Sequence, residues 1–248
     1  MTARPIFCLA VVMAGGLFAA GYLVEPRPAG AAETAAVANP ASAAPPAAQG
    51  APEAADLMFE TPQFVTTTSG QSLVYRYARK ASDPELGPSF EDRIRLTVAP
   101  GTGAGDTRDV QVDFFSGERH HAAGPFEGVT TNPVLMLFLE NHVADLSGRL
   151  KGNPRYFKNA IRAGLRDKAR VVPAEFSVDG RTYKGWRVSV SPFAGDPNAP
   201  RMRGLDTLVY TFDMAPDLPG AIARIVIAAE APGGRLWEES IAYDPKGP

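Results

Sequence analysis

The stretch Arg93-Ile94-Arg95-Leu96-Thr97-Val98 decides the fold. Every second residue is apolar and its neighbours are charged or polar. Successive side chains of a strand point to opposite faces, so this period of two predicts a strand with one face buried and one in water. The same alternation precedes it at Leu73, Tyr75 and Tyr77. It follows at Val110, Val112 and Phe114, which face away from Gln111 and Asp113. Between two of these strands lies Pro100-Gly101-Thr102-Gly103-Ala104-Gly105-Asp106. A phosphate-binding glycine loop opens a helix, whereas a strand follows here, so the segment is expected to be a hairpin loop.

Further along, Asn132-Pro133 and Asn153-Pro154 each set a preferred capping residue before a proline, whose missing N–H costs nothing at the first helical position. The first helix is expected to run to about Leu146 and stop at Gly148. Leu135, Phe138, Leu139, Val143 and Leu146 form its apolar face, widened by Val134, Met136 and Leu137. Such a helix needs cover on most sides, by deep packing or as the lid of an apolar cavity. Five more strands are expected beyond the helices: Val171 to Val178, then after Asp179-Gly180 Tyr183 to Val190, then around Tyr210, around Ile225 and Ile227, and Leu236 to Tyr243. Strands, helices, strands makes an α+β domain: a curved antiparallel sheet of about eight strands with a two-helix insertion packed over it.

That domain is assigned to residues 57–248. Upstream, Arg4 precedes an uncharged run from Ile6 to Val24, and nineteen residues at 1.5 Å each give about 28 Å, the thickness of a bilayer core. Residues 1–24 therefore read as a signal peptide, with small-residue cleavage sites after Gly21, Ala31 or Ala32, or as an uncleaved anchor with Arg4 in the cytoplasm. Residues 25–56 contain 14 Ala and 6 Pro, too little apolar bulk to repay the entropy of ordering, and read as a disordered linker. Either way the rest of the chain is expected in the periplasm, secreted or held at the inner membrane by residues 6–24.

Composition excludes several classes. With 25 Lys and Arg against 27 Asp and Glu, the chain has no global basic charge of the sort that binds nucleic acid. Its single cysteine, Cys8, sits near the start of the apolar run. One cysteine supports neither a disulfide framework nor a cysteine zinc site. No Gly-x-Ser-x-Gly, His-Glu-x-x-His or calcium-loop pattern occurs, and no cofactor is expected.

The most polarised feature is the second helix. Arg155, Lys158, Arg162 and Arg166 fall within roughly 80° of one another, while Phe157, Ala160, Ile161 and Gly164 point away. From Arg149 to Arg170 there are eight basic residues and one acid. Such a stripe is either a solvated face or a contact for anionic headgroups. His120, His121 and His142 are the remaining candidates for metal or acid–base chemistry. Adjacent residues of a strand diverge, so His120 and His121, and likewise Glu238 and Glu239, are expected to separate rather than cooperate.

Several stretches together resemble a family of uncharacterised exported proteins from alphaproteobacteria: Leu57 to Pro62, Leu73 to Tyr77, Asn132 to Glu140, Arg155 to Arg162, Ser191-Pro192-Phe193 with Asp196-Pro197, and Leu218-Pro219-Gly220. The resemblance implies export and a single domain, and no activity. In outline, a sheet lidded by helices is also similar to lipoprotein carriers of the LolA type. The expected function is therefore a non-enzymatic cell-envelope protein that binds a lipid or an envelope protein. Leu135, Phe138, Leu139 and Val143, with Tyr75, Leu96 and Phe114, would line an apolar site, and Arg155, Lys158, Arg162 and Arg166 would meet an anionic group. A metal- or histidine-dependent periplasmic hydrolase is the alternative.

Overall fold

The computed structural model describes residues 50–103 and 105–247; the apolar run 6–24 and residues 25–49 of the Ala/Pro-rich stretch lie outside them. Nine strands form one antiparallel sheet: β1 (Ser72–Ala81), β2 (Phe90–Pro100), β3 (Arg108–Phe114), β4 (His121–Val129), β5 (Arg170–Val178), β6 (Arg181–Val190), β7 (Val209–Met214), β8 (Ile222–Ala231) and β9 (Gly234–Tyr243). Their spatial order is β4-β3-β2-β1-β9-β8-β7-β6-β5, and the sheet does not close. Two meanders thus meet at the β1–β9 seam, where Tyr77 lies opposite Ile241.

The alternation read from the sequence sets which face is buried. Ile94, Leu96 and Val98 are fully buried, as are Val110 and Val112 on the neighbouring strand. β2 and β3 pair as antiparallel neighbours, so the glycine-rich sequence between them leads into a strand and not into a helix. Asp179 and Gly180 both take positive φ, 49° and 76°, as a two-residue turn matched to the twist of β5 and β6 requires.

The count of about eight strands falls one short, and the missing strand is β4. Its sequence, His-Ala-Ala-Gly-Pro-Phe-Glu-Gly-Val, has no alternation, because it is an edge strand with little buried surface and its pairing with β3 shifts register twice.

Helices α1 (Pro133–Leu150) and α2 (Pro154–Asp167) carry the chain from β4 to β5, the two opposite edges. Eight strand spacings amount to roughly 38 Å, and 18 helical residues cover about 27 Å of that. Asn132 and Asn153 cap the helices as expected, each accepting from the N–H two residues on. Gly148, however, does not end α1. The helix runs on to Leu150 and closes on Lys151 in the left-handed region. The extra turn lets Arg149 bond Asp145 through both Nε and Nη2 and reach the Leu86 carbonyl.

The helices pack on the sheet face that holds the core. Phe138 stands 6.4 Å from the Tyr77 ring and Phe157 6.0 Å from Phe193. A side chain at Gly164 would press on Val190 and Pro192, so α2 approaches this end of β6 closely. Packing also begins earlier than residue 57. Ala54 is only 5% exposed and belongs to the core, and a short π-helical turn (Asp56–Glu60) buries Leu57 and Met58. The end of the presumed linker is therefore part of the folded unit. No described helix is long and apolar enough to cross a membrane.

Candidate functional site

The apolar residues of α1 divide between two surroundings. Leu135 and Phe138, at 2% and 0% exposure, face the sheet and share one continuous core with Tyr75, Leu96 and Phe114. Leu139 and Val143 lie on the other flank of α1, where an open groove of about 420 Å³ runs between α1 and α2. Met136, Ile161 and Leu165 also line it, together with Phe59 of the entry turn and Ala55 just before that turn. The expected apolar set is thus divided unevenly: Leu135, Phe138 and Val143 are buried in the core, Val143 also lining the base of the groove, and Leu139 alone of the four is partly open to it.

Two exposed large side chains mark this groove. Phe59 and Met136 are 41% and 53% exposed, although each sits beside residues that are buried. Phe59 is held there by a latch: Gln63 donates from Nε2 to the Met58 carbonyl at 2.9 Å and accepts at Oε1 from the Asn132 N–H at 2.8 Å. Asn132 in turn donates to the Tyr75 hydroxyl and the Gly220 carbonyl. Gly220, at φ 77°, leaves room for this junction, since a side chain there would meet Asn132, Leu73 and Tyr75. The start of α1 and the entry turn are therefore locked as one unit.

The basic stripe of α2 forms the groove's rim. Lys158, Arg162 and Arg166 line it, while Arg155 stands one turn away, exposed and outside the lining. Lys158 pairs with Glu140 of α1, and Arg166 with Asp167. Among the described residues no carboxylate pairs with Arg155 or Arg162. Sequence reasoning reached five lining residues but missed Phe59, whose signal was the apolar run Leu57-Met58-Phe59 directly before the latch.

Histidine chemistry lies elsewhere. His142 of α1 is fully buried; its Nδ1 meets Glu239 Oε2 at 2.9 Å and its Nε2 meets the Tyr210 hydroxyl at 2.8 Å. Glu239 accepts a second bond from the Tyr77 hydroxyl at 2.7 Å. Burial first, and then the charge of Glu239, pushes the Tyr77 and Tyr210 phenols far above their ordinary range, so both remain donors. The imidazole therefore bridges the Glu239 carboxylate and the Tyr210 hydroxyl, one ring nitrogen to each. Every strong acceptor is satisfied, and neither His142 nor Glu239 has surface a substrate could reach. The cluster ties α1 to the sheet.

The other paired residues separate as expected. Glu238, next to Glu239, turns to the opposite face and pairs with Arg235. His120 lies 3.3 Å from Asp113, whereas His121 stacks near Phe114 at 5.1 Å between ring centres. Among the described residues no group of three or more His, Cys, Asp or Glu side chains is arranged to hold a metal ion. No family model matches the chain, and no curated protein matches it.

Proposed function

We propose that this is an exported, non-enzymatic protein of the cell envelope, and that the groove between α1 and α2 holds the apolar part of an anionic amphiphile such as a lipid. One observation carries the reading: an apolar floor and a basic rim meet in one groove. Its size, about 420 Å³, falls within the range of small-molecule sites. Burying Phe59, Met136 and the open part of Leu139 against an acyl chain would remove exposed apolar surface, the main driving force for such binding. Arg162, lacking an ion pair, is the natural partner for the head group, with Arg166 and Lys158 beside it.

Export rests on the N-terminal pattern of Arg4, the apolar run and the Ala/Pro-rich stretch. The resemblance to exported proteins points the same way. Membrane proximity would come from residues 6–24, with the groove's ligand drawn from the nearby lipid.

The test is native mass spectrometry of the gently purified full chain, with titration by a fluorescent fatty acid. Wild type is expected to retain an anionic lipid and to bind the probe. Met136→Glu, which places a charge in the floor, is expected to lose both while melting at the same temperature. Equal retention of lipid by wild type and Met136→Glu would assign the lipid to another part of the chain and overturn the groove's role.

A further inference from the structure

The sheet's second face, away from the helices, carries its own chemistry. Directly paired residues share a face, and one such row crosses six strands: Arg93 on β2, Arg76 on β1, Ala242 on β9, Arg224 on β8, Asp213 on β7 and Arg187 on β6. All four arginines are exposed. Arg93 and Arg76 stand directly opposite each other, and like charges so placed destabilise a sheet.

Their partners are unevenly supplied. Arg187 is held by Asp213 through two bonds of 2.6 and 3.0 Å. Arg76 reaches Asp244 only at 3.7 Å and keeps 71% of its side chain exposed. Arg93 and Arg224 have no carboxylate within ion-pair distance among the described residues. Two hollows lie along this row, of about 900 and 460 Å³. They share Arg76, Arg224, Ala242, Asp244 and Lys246, so they form a single trough across the strands. Ala78, Ser240 and Ala242 keep its floor low.

The cations of the row itself are all arginine, with Lys80 and Lys246 elsewhere in the lining, and a guanidinium forks onto a planar oxoanion as a lysine cannot. Neighbouring strands are about 4.8 Å apart, so Arg76 and Arg224, two strands apart, space two oxoanions by roughly 10 Å. Between and beside them stand Glu91, Glu238, Asp244 and Ser240, which accept from or donate to hydroxyl groups. Those carboxylates would repel a densely charged chain such as nucleic acid or polyphosphate. A ligand with separated carboxylates and hydroxyls between them satisfies both sets.

We propose that this trough binds an acidic carbohydrate, a sugar chain bearing carboxylates, with Arg93, Arg76 and Arg224 each receiving an oxoanion. The site does not depend on the groove between the helices.

Calorimetry on the full chain with oligogalacturonate, its methyl ester and duplex DNA tests it. The carboxylated oligosaccharide is expected to bind and the uncharged ester to fail. Arg93→Ala and Arg224→Ala, both at exposed positions, are each expected to weaken binding about tenfold without lowering the melting temperature, as loss of a charge-assisted bond implies. Met136→Glu is expected to bind as wild type does. Absence of oligogalacturonate binding would overturn the proposal. So would equal binding of the ester, full affinity in both arginine variants, or equally tight binding of duplex DNA, which would mean attraction of any polyanion.

Discussion

Glu238 and Glu239 are neighbours on β9, yet they live in different solvents. Glu239 points under α1, fully buried and bonded to His142 and Tyr77. Glu238 points to the open face, half-buried, and pairs there with the exposed Arg235. The pleat alone separates them, and the same pleat divides the whole sheet. On the helix side the strands contribute tyrosines, phenylalanines and branched aliphatics to one core. On the open side they contribute mainly arginines, carboxylates and small residues, with Val74 and Phe176 as apolar exceptions. Stability is concentrated on one face, and the other is left free to carry recognition.

The sharpest way to break this contrast is to truncate both glutamates in turn. Glu239→Ala removes one partner of a buried pair and leaves His142, Tyr77 and Tyr210 arranged around a void. Its expected cost is about 3–5 kcal/mol. Glu238→Ala removes a partly exposed ion pair and is expected to stay within about 0.5 kcal/mol of wild type. Urea unfolding of the two variants under one set of conditions measures both. Similar losses in the two would mean that the open face also contributes to stability, and the division would fail.

Helix α1 repeats the contrast at a smaller scale. Phe138 and Met136 are two residues apart, one fully buried against the sheet and the other 53% exposed over the groove. Phe138→Ala is expected to cost about 3–4 kcal/mol through the cavity it leaves. Met136→Ala is expected to cost less than about 0.5 kcal/mol and to act on ligand binding instead. Thermal melts beside fatty-acid titrations separate the two effects. A large loss of stability at Met136 would make the groove part of the core.

Much of this architecture is legible in the sequence, and the gaps have physical causes. Eight strands and both helices follow from alternation, asparagine–proline caps and turn residues, all of them local signals. β4 escapes because an edge strand with little buried surface has no pattern to show. Gly148 misleads because glycine only permits a helix to end, and the contacts of Arg149 keep this one going. The site was half legible: the arginine stripe and Leu139 could be read, since helical spacing is local. The partition of Leu135 and Phe138 into the core could not, because it depends on which flank of α1 the sheet takes. The His142–Glu239 bond joins residues 97 positions apart and left no local trace. The arginine row was equally hidden, since it exists only once five pairing registers are fixed.

The finest test concerns the border between the two faces on β2, where Asp92 and Arg93 diverge. Burial works against the charge of Asp92. Hydrogen bonds from Ser116 Oγ at 2.7 Å, the Arg93 N–H at 3.0 Å and Arg119 Nε at 3.2 Å outweigh it, and hold the carboxyl below the usual range. A depressed folded-state value means that the carboxylate stabilises the fold fully above the unfolded-state pKa, about 3.9, and loses that contribution as pH falls through the folded-state value. Asp92→Asn is therefore expected to be less stable than wild type near pH 7, with the gap narrowing steadily below about pH 4. Arg93→Ala, whose side chain lies on the open face, is expected to be no less stable than wild type and to keep the same offset from it at every pH. Urea midpoints collected from pH 7 down to about pH 3 supply the comparison. A gap for Asp92→Asn that keeps its size in acid would show that the aspartate acts through shape rather than charge. The boundary between the faces would then owe nothing to electrostatics.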